Sequence, residues 1–255
     1  MQRVLFHETI FGPIRSRRLG ASLGVNLSPL DGKVCSFDCL YCEAGFNAQG
    51  TGTTGLPRRE EVARLLREKL AAMRANGEPL NVITFSGNGE PTLHPEFAGI
   101  VDDTIAARNE FFPEVKISVL TNSTRLSSPE VCDALRRVDN NILKLDSAIE
   151  STMRKIDRPV SASFTAAEVI EQLKQFAGSG IIQTMFLRGP GIDNTSAEEV
   201  NALIEAYKAI APREIMIYSI DRKTPDETLR RIEPDELRRI GDRIAAETGL
   251  PVQVS

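Results

Sequence analysis

Residues 82–108 of this 255-residue chain read VITFSGNGEPTLHPEFAGIVDDTIAAR and contain the pattern on which the fold prediction rests. A short run rich in β-branched residues, Val82–Phe85, has the composition of a buried strand. After a turn with two glycines, residues 95–108 have the apolar spacing of an amphipathic helix. A strand followed by a helix is one unit of a parallel α/β sheet, in which helices connect neighbouring strands.

The same alternation recurs on both sides of this unit. Short apolar runs predict six strands, at residues 23–27, 82–85, 116–120, 142–145, 181–187 and 214–220. Helical patterns are found at residues 60–74, 95–108, 129–138, 166–176, 197–210 and 234–247. Residues 251–255 predict a further short strand. Eight strand–helix units would complete a barrel, so six units predict an α/β fold with a partial (β/α)6 barrel.

We expect one domain, residues 1–255, built around this barrel. Residues 1–22 would form an N-terminal extension, and residues 225–255 a C-terminal helix and tail. This length is usual for a single α/β barrel. Because such folds place their chemistry at the C-terminal ends of the strands, the residues that follow each predicted strand are candidate site residues.

Composition narrows the classes of function. The net charge of −4 disfavours a protein that binds nucleic acid over its whole surface, although a local basic patch is compatible with it. No run approaches the roughly 18 apolar residues of a membrane span, and the N-terminus lacks the apolar core of a signal peptide. We therefore expect a cytoplasmic protein without a membrane partner. With only two histidines, a mechanism built on several of them is excluded.

Three of the four cysteines fall within eight residues, in the order Cys35-Ser-Phe-Asp-Cys39-Leu-Tyr-Cys42. Clustered cysteines in a chain without a secretion signal indicate metal or redox chemistry rather than a disulfide framework. Three thiolates on one loop can hold three irons of a [4Fe–4S] cubane. The fourth iron then lacks a protein ligand and can bind another molecule.

The alternatives for these cysteines are a zinc site and a dithiol pair. A structural zinc site takes four ligands, and His7 and His94 are distant in sequence. A thioredoxin-like pair of Cys39 and Cys42 leaves Cys35 unexplained. Cys132 lies in a helical pattern and is expected in the core.

Polar residues follow the second, third and fourth predicted strands. Gly87 and Gly89 allow the backbone to approach a ligand, and the carboxylate of Glu90 can accept hydrogen bonds from an ammonium group. The simpler interpretation is a glycine turn before a helix. Asn122 and Ser123 are compatible with capping of the next element or with a ligand.

Charged residues mark the fourth and fifth strands. Lys144 and Asp146 share one face of a strand, which is costly inside a sheet unless the charges pair with each other or bind a ligand. Arg188, at the end of the fifth strand, could hold a carboxylate in a fork. It is our candidate for binding an anionic substrate or, under the family resemblance given next, the carboxylate of the cofactor.

The C-x3-C-x2-C spacing with Tyr41 before the last cysteine resembles the signature of the radical S-adenosylmethionine (SAM) superfamily. Residues 12–45 and 83–95 resemble one branch of it most closely: the Fe–S oxidoreductases related to the archaeal wyosine-forming tRNA enzymes. The resemblance implies that Cys35, Cys39 and Cys42 hold a [4Fe–4S] cluster whose free iron binds SAM. Reductive cleavage of SAM then gives a 5′-deoxyadenosyl radical, which abstracts hydrogen from a substrate.

The same resemblance implies roles for the polar residues. Gly87, Gly89 and Glu90 correspond to the motif that binds the SAM amine. Asn122 and Ser123 would face its ribose or methionine part, Lys144 and Asp146 the cofactor or substrate, and Tyr218 the adenine. Arg15, Arg17 and Arg18 form a solvated face, bind an anionic substrate or close the barrel.

The resemblance also implies a reductant protein such as flavodoxin or ferredoxin as partner. A tRNA base and a glycyl-radical partner protein are the two substrate classes it predicts. The wyosine-forming relatives have further cysteines and a more basic surface, which speaks against the first. A non-catalytic iron–sulfur carrier or sensor and a zinc-binding nucleic-acid module remain as different classes of function.

Overall fold

The computed structural model describes residues 3–16 and 20–255, which contain ten β-strands and seven α-helices. The strands are β1 (Ile10–Ser16), β2 (Gly20–Val25), β3 (Val82–Phe85), β4 (Lys116–Thr121), β5 (Asn140–Lys144), β6 (Ile181–Gly189), β7 (Ile192–Asp193), β8 (Glu214–Ser219), β9 (Arg230–Arg231) and β10 (Val252–Val254). The helices are α1 (Arg59–Ala75), α2 (Phe97–Phe111), α3 (Pro129–Arg137), α4 (Glu150–Asp157), α5 (Ala166–Leu173), α6 (Ala197–Ile210) and α7 (Pro234–Thr248).

The strands form one sheet in the order β1-β2-β3-β4-β5-β6-β8-β10, with β7 and β9 paired to the end of β6. The six strands from β2 to β8 along this path are parallel to one another. They are the six predicted strands, so the α/β partial barrel is confirmed. The predicted strand in the C-terminal tail is β10, parallel to β8.

The two faces of the sheet have different surroundings. The outer face packs against the helices in the main core, where Leu66 and Leu70 of α1 and Ile100 of α2 lie with Ile83 and Ile117 of the sheet. Side chains alternate between faces along a strand, so every second residue points inward. The inward residues line a cavity, described below, that is separate from the main core.

Strand β1 was not predicted and lies within the predicted N-terminal extension. It runs antiparallel to β2 at the edge of the sheet, with an irregular register between Phe11 and Ile14. Pro13 lacks the N–H that a central strand needs, so the sequence did not resemble a strand; an edge strand tolerates it. Arg15 lies on β1, whereas Arg17 and Arg18 lie outside the described residues.

Helix α4 was also missed. Its eight residues, ESTMRKID, are mostly polar, and a helix this short is held by tertiary packing rather than by its own sequence. Its buried residues Met153 and Ile156 supply that packing. The predicted ends of α6 are confirmed, and the Glu199 amide donates to the hydroxyl of Ser196, which caps the first turn. Within the described part of the chain, no helix is both long and apolar enough to cross a membrane.

Candidate functional site

The cysteine loop, residues 33–47, is held on one side by the loop after β3. The Val34 amide donates to the Asn88 carbonyl (3.2 Å), and the Glu90 amide donates to the Val34 carbonyl (2.9 Å). A Cβ on Gly89 would lie 1.9 Å from the Val34 carbonyl oxygen. Gly89 is therefore required for the close approach of two backbone segments.

Gly87 has a similar packing role. A Cβ there would lie 2.2 Å from Oδ1 of the buried Asn26. That same oxygen accepts hydrogen bonds from the amides of Ser28 and Asn88, each at 3.1 Å. The structure thus shows what both glycines contact within the protein, and their contact with SAM stays a prediction.

The C-terminal end of α4 holds the other side of the cysteine loop. The Asp38 amide donates to the Asp157 carbonyl (3.0 Å), and the Leu40 amide donates to the Ile156 carbonyl (3.0 Å). The helix ends at Arg158, which has a left-handed φ of 49°. The unpredicted helix α4 therefore positions the predicted metal ligands.

A buried lysine stabilises the cysteine loop from within. The side chain of Lys33 is 1% exposed; its ammonium donates to the Gly45 carbonyl at 2.8 Å and lies 3.6 Å from Asp38 Oδ1. Asn47, at the end of the loop, is tied to its middle: the side-chain amide of Asn47 donates to the Phe37 carbonyl (3.2 Å). These contacts fix the fold of the loop without using a cysteine.

The three thiols share this loop and are half-buried. Burial, with a smaller effect of the Glu90 charge, raises the pKa of Cys35 to about 12. Burial also raises the pKa of Cys39, against the opposing charge of Lys144. Metal ligation needs thiolates, so binding of a cluster here would release protons that the metal-free protein retains.

The side chains considered as a fourth ligand make contacts elsewhere. Nδ1 of His7 lies 3.1 Å from the Leu30 carbonyl oxygen, and Nε2 of His94 lies 2.9 Å from that of Pro57. Cys132 is buried and donates to the Leu126 carbonyl (3.1 Å). In residues 3–16 and 20–255, no group of three or more His, Cys, Asp or Glu side chains is arranged to hold a metal ion. Binding of a cubane cluster by the three cysteines therefore stays a prediction that rests on their number and spacing.

Glu90 lies between the ends of β3 and β4. Its Oε1 accepts from the Thr92 amide (3.0 Å), the Thr92 hydroxyl (2.6 Å) and the Thr121 hydroxyl (2.7 Å), and its Oε2 accepts from the Asn122 amide (2.6 Å). Burial raises the pKa of Glu90, and these hydrogen bonds act in the opposite direction. The carboxylate thus joins two strand ends, a role that sequence analysis did not foresee.

Asn122 links the end of β4 to the first cysteine. Its Nδ2 donates to the Ser36 hydroxyl (2.9 Å) and lies 3.5 Å from the Cys35 sulfur, while its Oδ1 accepts from the Thr124 hydroxyl (2.7 Å). The next residue, Ser123, has a left-handed φ of 68°, uncommon for a residue other than glycine. Such backbone strain is concentrated at functional sites.

A buried ionic network lies behind the second cysteine. The Lys144 ammonium donates to the Tyr41 hydroxyl, to Asp146 Oδ2 and, at 2.9 Å, to Asp157 Oδ1. Tyr41 donates to the same Asp146 oxygen (2.5 Å), and the Cys39 thiol lies 3.7 Å from Asp157 Oδ1. Burial alone lowers the pKa of Lys144, but the two aspartates raise it well above its usual value.

This network contains the predicted Lys144–Asp146 pair and adds two members. Tyr41 was noted in the sequence only as the aromatic residue of the cysteine motif. Asp157 was missed, because it lies in a helix rather than at a strand end and no pattern marks it. Since all the charged groups here have protein partners, contact of Lys144 or Asp146 with SAM stays a prediction.

Arg188 is not brought to the cysteines. Its guanidinium donates to Glu236 (Nη1 to Oε2, 3.0 Å) and to Asp193 (Nε to Oδ2, 3.1 Å) at the end of β6. It lines a separate surface depression with residues 189–190 and 227–230. The expectation that it binds the SAM carboxylate gains no support from this position.

A cavity of about 450 Å³ lies on the inner face of the sheet. Glu43, next to the last cysteine, is part of its wall, as are Tyr218 of β8 and Met185 of β6. Tyr218 and Met185 also pack in the same apolar cluster as Tyr41. The cavity is therefore connected to the cysteine loop, and Tyr218, the predicted adenine contact, is located where the two meet.

Comparison with known proteins identifies the family. The family model described as the radical SAM superfamily matches residues 31–207, which include all three clustered cysteines and Glu90. The chain belongs to the radical SAM superfamily. Solved structures that resemble this radical SAM protein include a radical SAM methyltransferase of Sphaerobacter thermophilus. It is 15% identical with a TM-score of 0.67, and the match covers 92% of this chain and 65% of that one. The structure of TYW1 with a lysine–pyruvate adduct is 14% identical with a TM-score of 0.61, and the match covers 90% of this chain and 75% of that one.

Two curated relatives show how far the sequence likeness of this radical SAM protein extends. A UPF0026 protein of Helicobacter pylori is 29% identical over 220 residues, covering 84% of this chain and 66% of the relative. A protein of Brachyspira hyodysenteriae named GTPase Obg is 26% identical over 250 residues, which cover 97% of this chain and 35% of the relative. The chain thus spans from about a third to two thirds of the length of these relatives. The predicted resemblance is confirmed, and the wyosine enzyme TYW1 is among the structural neighbours.

Proposed function

We propose that this protein is an enzyme that binds a [4Fe–4S] cluster through Cys35, Cys39 and Cys42 and binds SAM beside it. When bound, the reduced cluster would supply the electron that cleaves SAM to a 5′-deoxyadenosyl radical, and this radical would abstract hydrogen from a substrate. The observation that carries the proposal is the presence of three half-buried cysteines on one loop, whose Glu43 lines a cavity in the barrel of a radical SAM family member.

The residues of this chain have separate tasks in the proposal. Gly89 and the end of α4 fix the position of the cysteine loop. Asn122 and Glu90 hold the ends of β3 and β4 beside Cys35. Tyr218 and the cavity wall would enclose the adenine and the substrate away from water, which protects a reactive radical from side reactions.

The remaining partners are also proposals. A one-electron donor such as flavodoxin or ferredoxin would reduce the cluster. A cytoplasmic location is proposed because cysteines that must stay reduced for cluster assembly suit that compartment. A tRNA base and a glycine of a partner protein, the substrate classes predicted by the family resemblance, are the candidate substrates.

The deciding experiment is anaerobic reconstitution with iron and sulfide, followed by reduction and addition of SAM. We expect iron–sulfur absorption and formation of 5′-deoxyadenosine. Cys39→Ala should abolish both, while the matched control Cys132→Ala, which changes a cysteine outside the loop, should retain both. A fully assembled cluster that neither changes its spectrum with SAM nor yields 5′-deoxyadenosine would favour an electron carrier or sensor instead.

A further inference from the structure

The cavity on the inner face of the sheet has the size of a small-molecule site. Its volume of about 450 Å³ lies within the usual range of roughly 300–1,000 Å³ for ligand pockets. Its wall comes from β1–β6 and β8, so the fold itself positions the lining side chains. The proposed function gives this wall to the adenine and to a substrate of unspecified class, and the lining side chains indicate which class fits.

Apolar side chains form much of the cavity wall. Leu120, Ile142 and Met216 line it and belong to a small apolar cluster that is separate from the main core. Phe11 of β1 stacks on Phe6 with ring centroids 3.8 Å apart, and both residues line the cavity. A ligand here would gain from burying an aliphatic body of a few carbons.

One polar side chain in the cavity has an unused hydrogen-bonding group. Gln183 lies in β6, in register with Lys144 of β5 on one side and Met216 of β8 on the other. Its side-chain amide lines the cavity and makes no hydrogen bond to any other residue that the structure describes. An amide in this position can donate to a carbonyl or accept from a hydroxyl or amide of a ligand.

The charged residues at the cavity differ in their pairing. Arg222 donates to Glu43 Oε2 at 2.7 Å, and Asp221 has an interaction of its own. Arg15, on the exposed edge strand β1, has no ion-pair partner among the described residues. An unpaired guanidinium at a cavity wall suits a carboxylate or phosphate, to which it can donate two parallel hydrogen bonds.

We propose that this cavity is the substrate site and takes a small organic anion. Its anionic group would bind Arg15, a carbonyl or amide would bind Gln183, and its aliphatic body would lie against Leu120, Ile142 and Met216. The inference rests on the proposed function, because it assigns the substrate class of that same active site. It favours a metabolite-sized substrate over a tRNA base or a protein glycine.

Two methionines report directly on this site. Met185 and Met216 line the cavity, whereas Met73 of α1 and Met153 of α4 are buried elsewhere. The experiment uses reconstituted, oxidised protein with SAM bound and ¹³C-methyl methionine, observed by NMR. The probes are hexanoate, hexyl phosphate, hexylammonium and 6-amino-6-oxohexanoate, which has a carboxylate at one end and an amide at the other.

We expect the anionic probes to shift the methyl signals of Met185 and Met216 and to leave that of Met73 unchanged. Hexylammonium should bind at least tenfold more weakly than hexanoate. The relative affinities of hexanoate and hexyl phosphate identify the natural anion as a carboxylate or a phosphate. The amide of 6-amino-6-oxohexanoate should increase its affinity over hexanoate by about two- to tenfold.

Two variants test the individual contacts. Arg15→Gln should weaken hexanoate by about tenfold, with Arg238→Gln on α7 as the control arginine. Gln183→Leu should remove the advantage of 6-amino-6-oxohexanoate over hexanoate without weakening hexanoate. Equal binding of hexylammonium and hexanoate, or unchanged hexanoate affinity in Arg15→Gln, would overturn the proposal.

The outcomes also separate this inference from the proposed function. Methionine shifts produced by tRNA or by a glycine-containing peptide, and by none of the small anions, would overturn the substrate class while SAM cleavage stands. Cavity binding by hexanoate in a protein that forms no 5′-deoxyadenosine would leave the anion site in place and remove the radical chemistry.

Discussion

The side-chain amide of Asn122 lies 3.5 Å from the sulfur of Cys35. Hydrogen bonds to the sulfur ligands of an iron–sulfur cluster raise its reduction potential, because they stabilise the more negative reduced form. Removing this donor in Asn122→Leu should therefore make the potential more negative, by on the order of 50 mV for one neutral hydrogen bond. An anaerobic redox titration followed by electron paramagnetic resonance measures it.

A surface asparagine supplies the control for this change. Asn201→Leu alters an exposed residue of α6 and should leave the potential unchanged. If Asn122→Leu assembles a cluster with the wild-type potential, the amide does not act on the sulfur, and its bond to Ser36 is its main contribution.

Glu90 is predicted to stabilise the fold as well as the SAM site. Glu90→Ala leaves the buried hydroxyls of Thr92 and Thr121 and the Asn122 amide without their acceptor. We expect a loss of about 2–4 kcal/mol in the free energy of unfolding. Urea denaturation of the cluster-free protein measures this without SAM, and the exposed Glu96→Ala is the control.

The same variant separates two roles of Glu90. A carboxylate that only accepted a hydrogen bond from the SAM amine would leave the stability of the cluster-free protein unchanged when removed. A loss of stability together with unchanged SAM binding would show that Glu90 acts only by holding the strand ends in place.

Lys144 is predicted to be essential for stability. Lys144→Met would leave Asp146 and Asp157, both almost fully buried, without their shared cation. Breaking a buried ion pair in this way costs about 3–5 kcal/mol. The free energy of unfolding measures it, with Lys208→Met on the exposed face of α6 as a control expected within about 0.5 kcal/mol of wild type.

The double variant Lys144→Met with Asp157→Asn refines this prediction. Because it replaces one of the two buried carboxyl groups that lose their cation, it should be more stable than Lys144→Met alone. A double variant less stable than Lys144→Met would contradict the charge explanation and indicate a packing role for the lysine stem.

Arg188 gives a prediction that depends on pH. Its hydrogen bonds lower the pKa of Glu236, and the pKa of Asp193 is lowered, against the effect of burial, by hydrogen bonds from Thr195 and then from Arg188. A carboxyl whose pKa is lower in the folded chain than in the unfolded chain adds stability above its unfolded pKa and loses it as the pH falls. The destabilisation by Arg188→Met should thus be full at pH 7 and shrink below about pH 4.

The size of this effect is limited by solvent. Arg188 is 39% exposed, so we expect about 1 kcal/mol at pH 7 after screening. Because the guanidinium lies outside the cavity, we also expect SAM affinity to be unchanged. Weaker SAM binding with unchanged stability would instead support the carboxylate-binding role predicted from the sequence.

The sequence by itself determined the parallel sheet and the spacing of the clustered cysteines. Strand β3 and helix α6 were predicted with the bounds that the structure shows, because local apolar periodicity is set by which faces are buried. The spacing of Cys35, Cys39 and Cys42 is also a local property that can be read from the sequence, whereas the position of their loop depends on contacts with α4 and with the loop after β3.

Only the tertiary structure decided what the polar residues contact. Asp157 reaches Lys144 and Cys39 from a short helix, and Glu90 is satisfied by donors from β4, contacts between segments far apart in sequence. Arg188 lies at a strand end like the site residues, but its guanidinium donates to Glu236. Position after a strand places a residue at one edge of the sheet, and the partners that fold against it determine where its charge is satisfied.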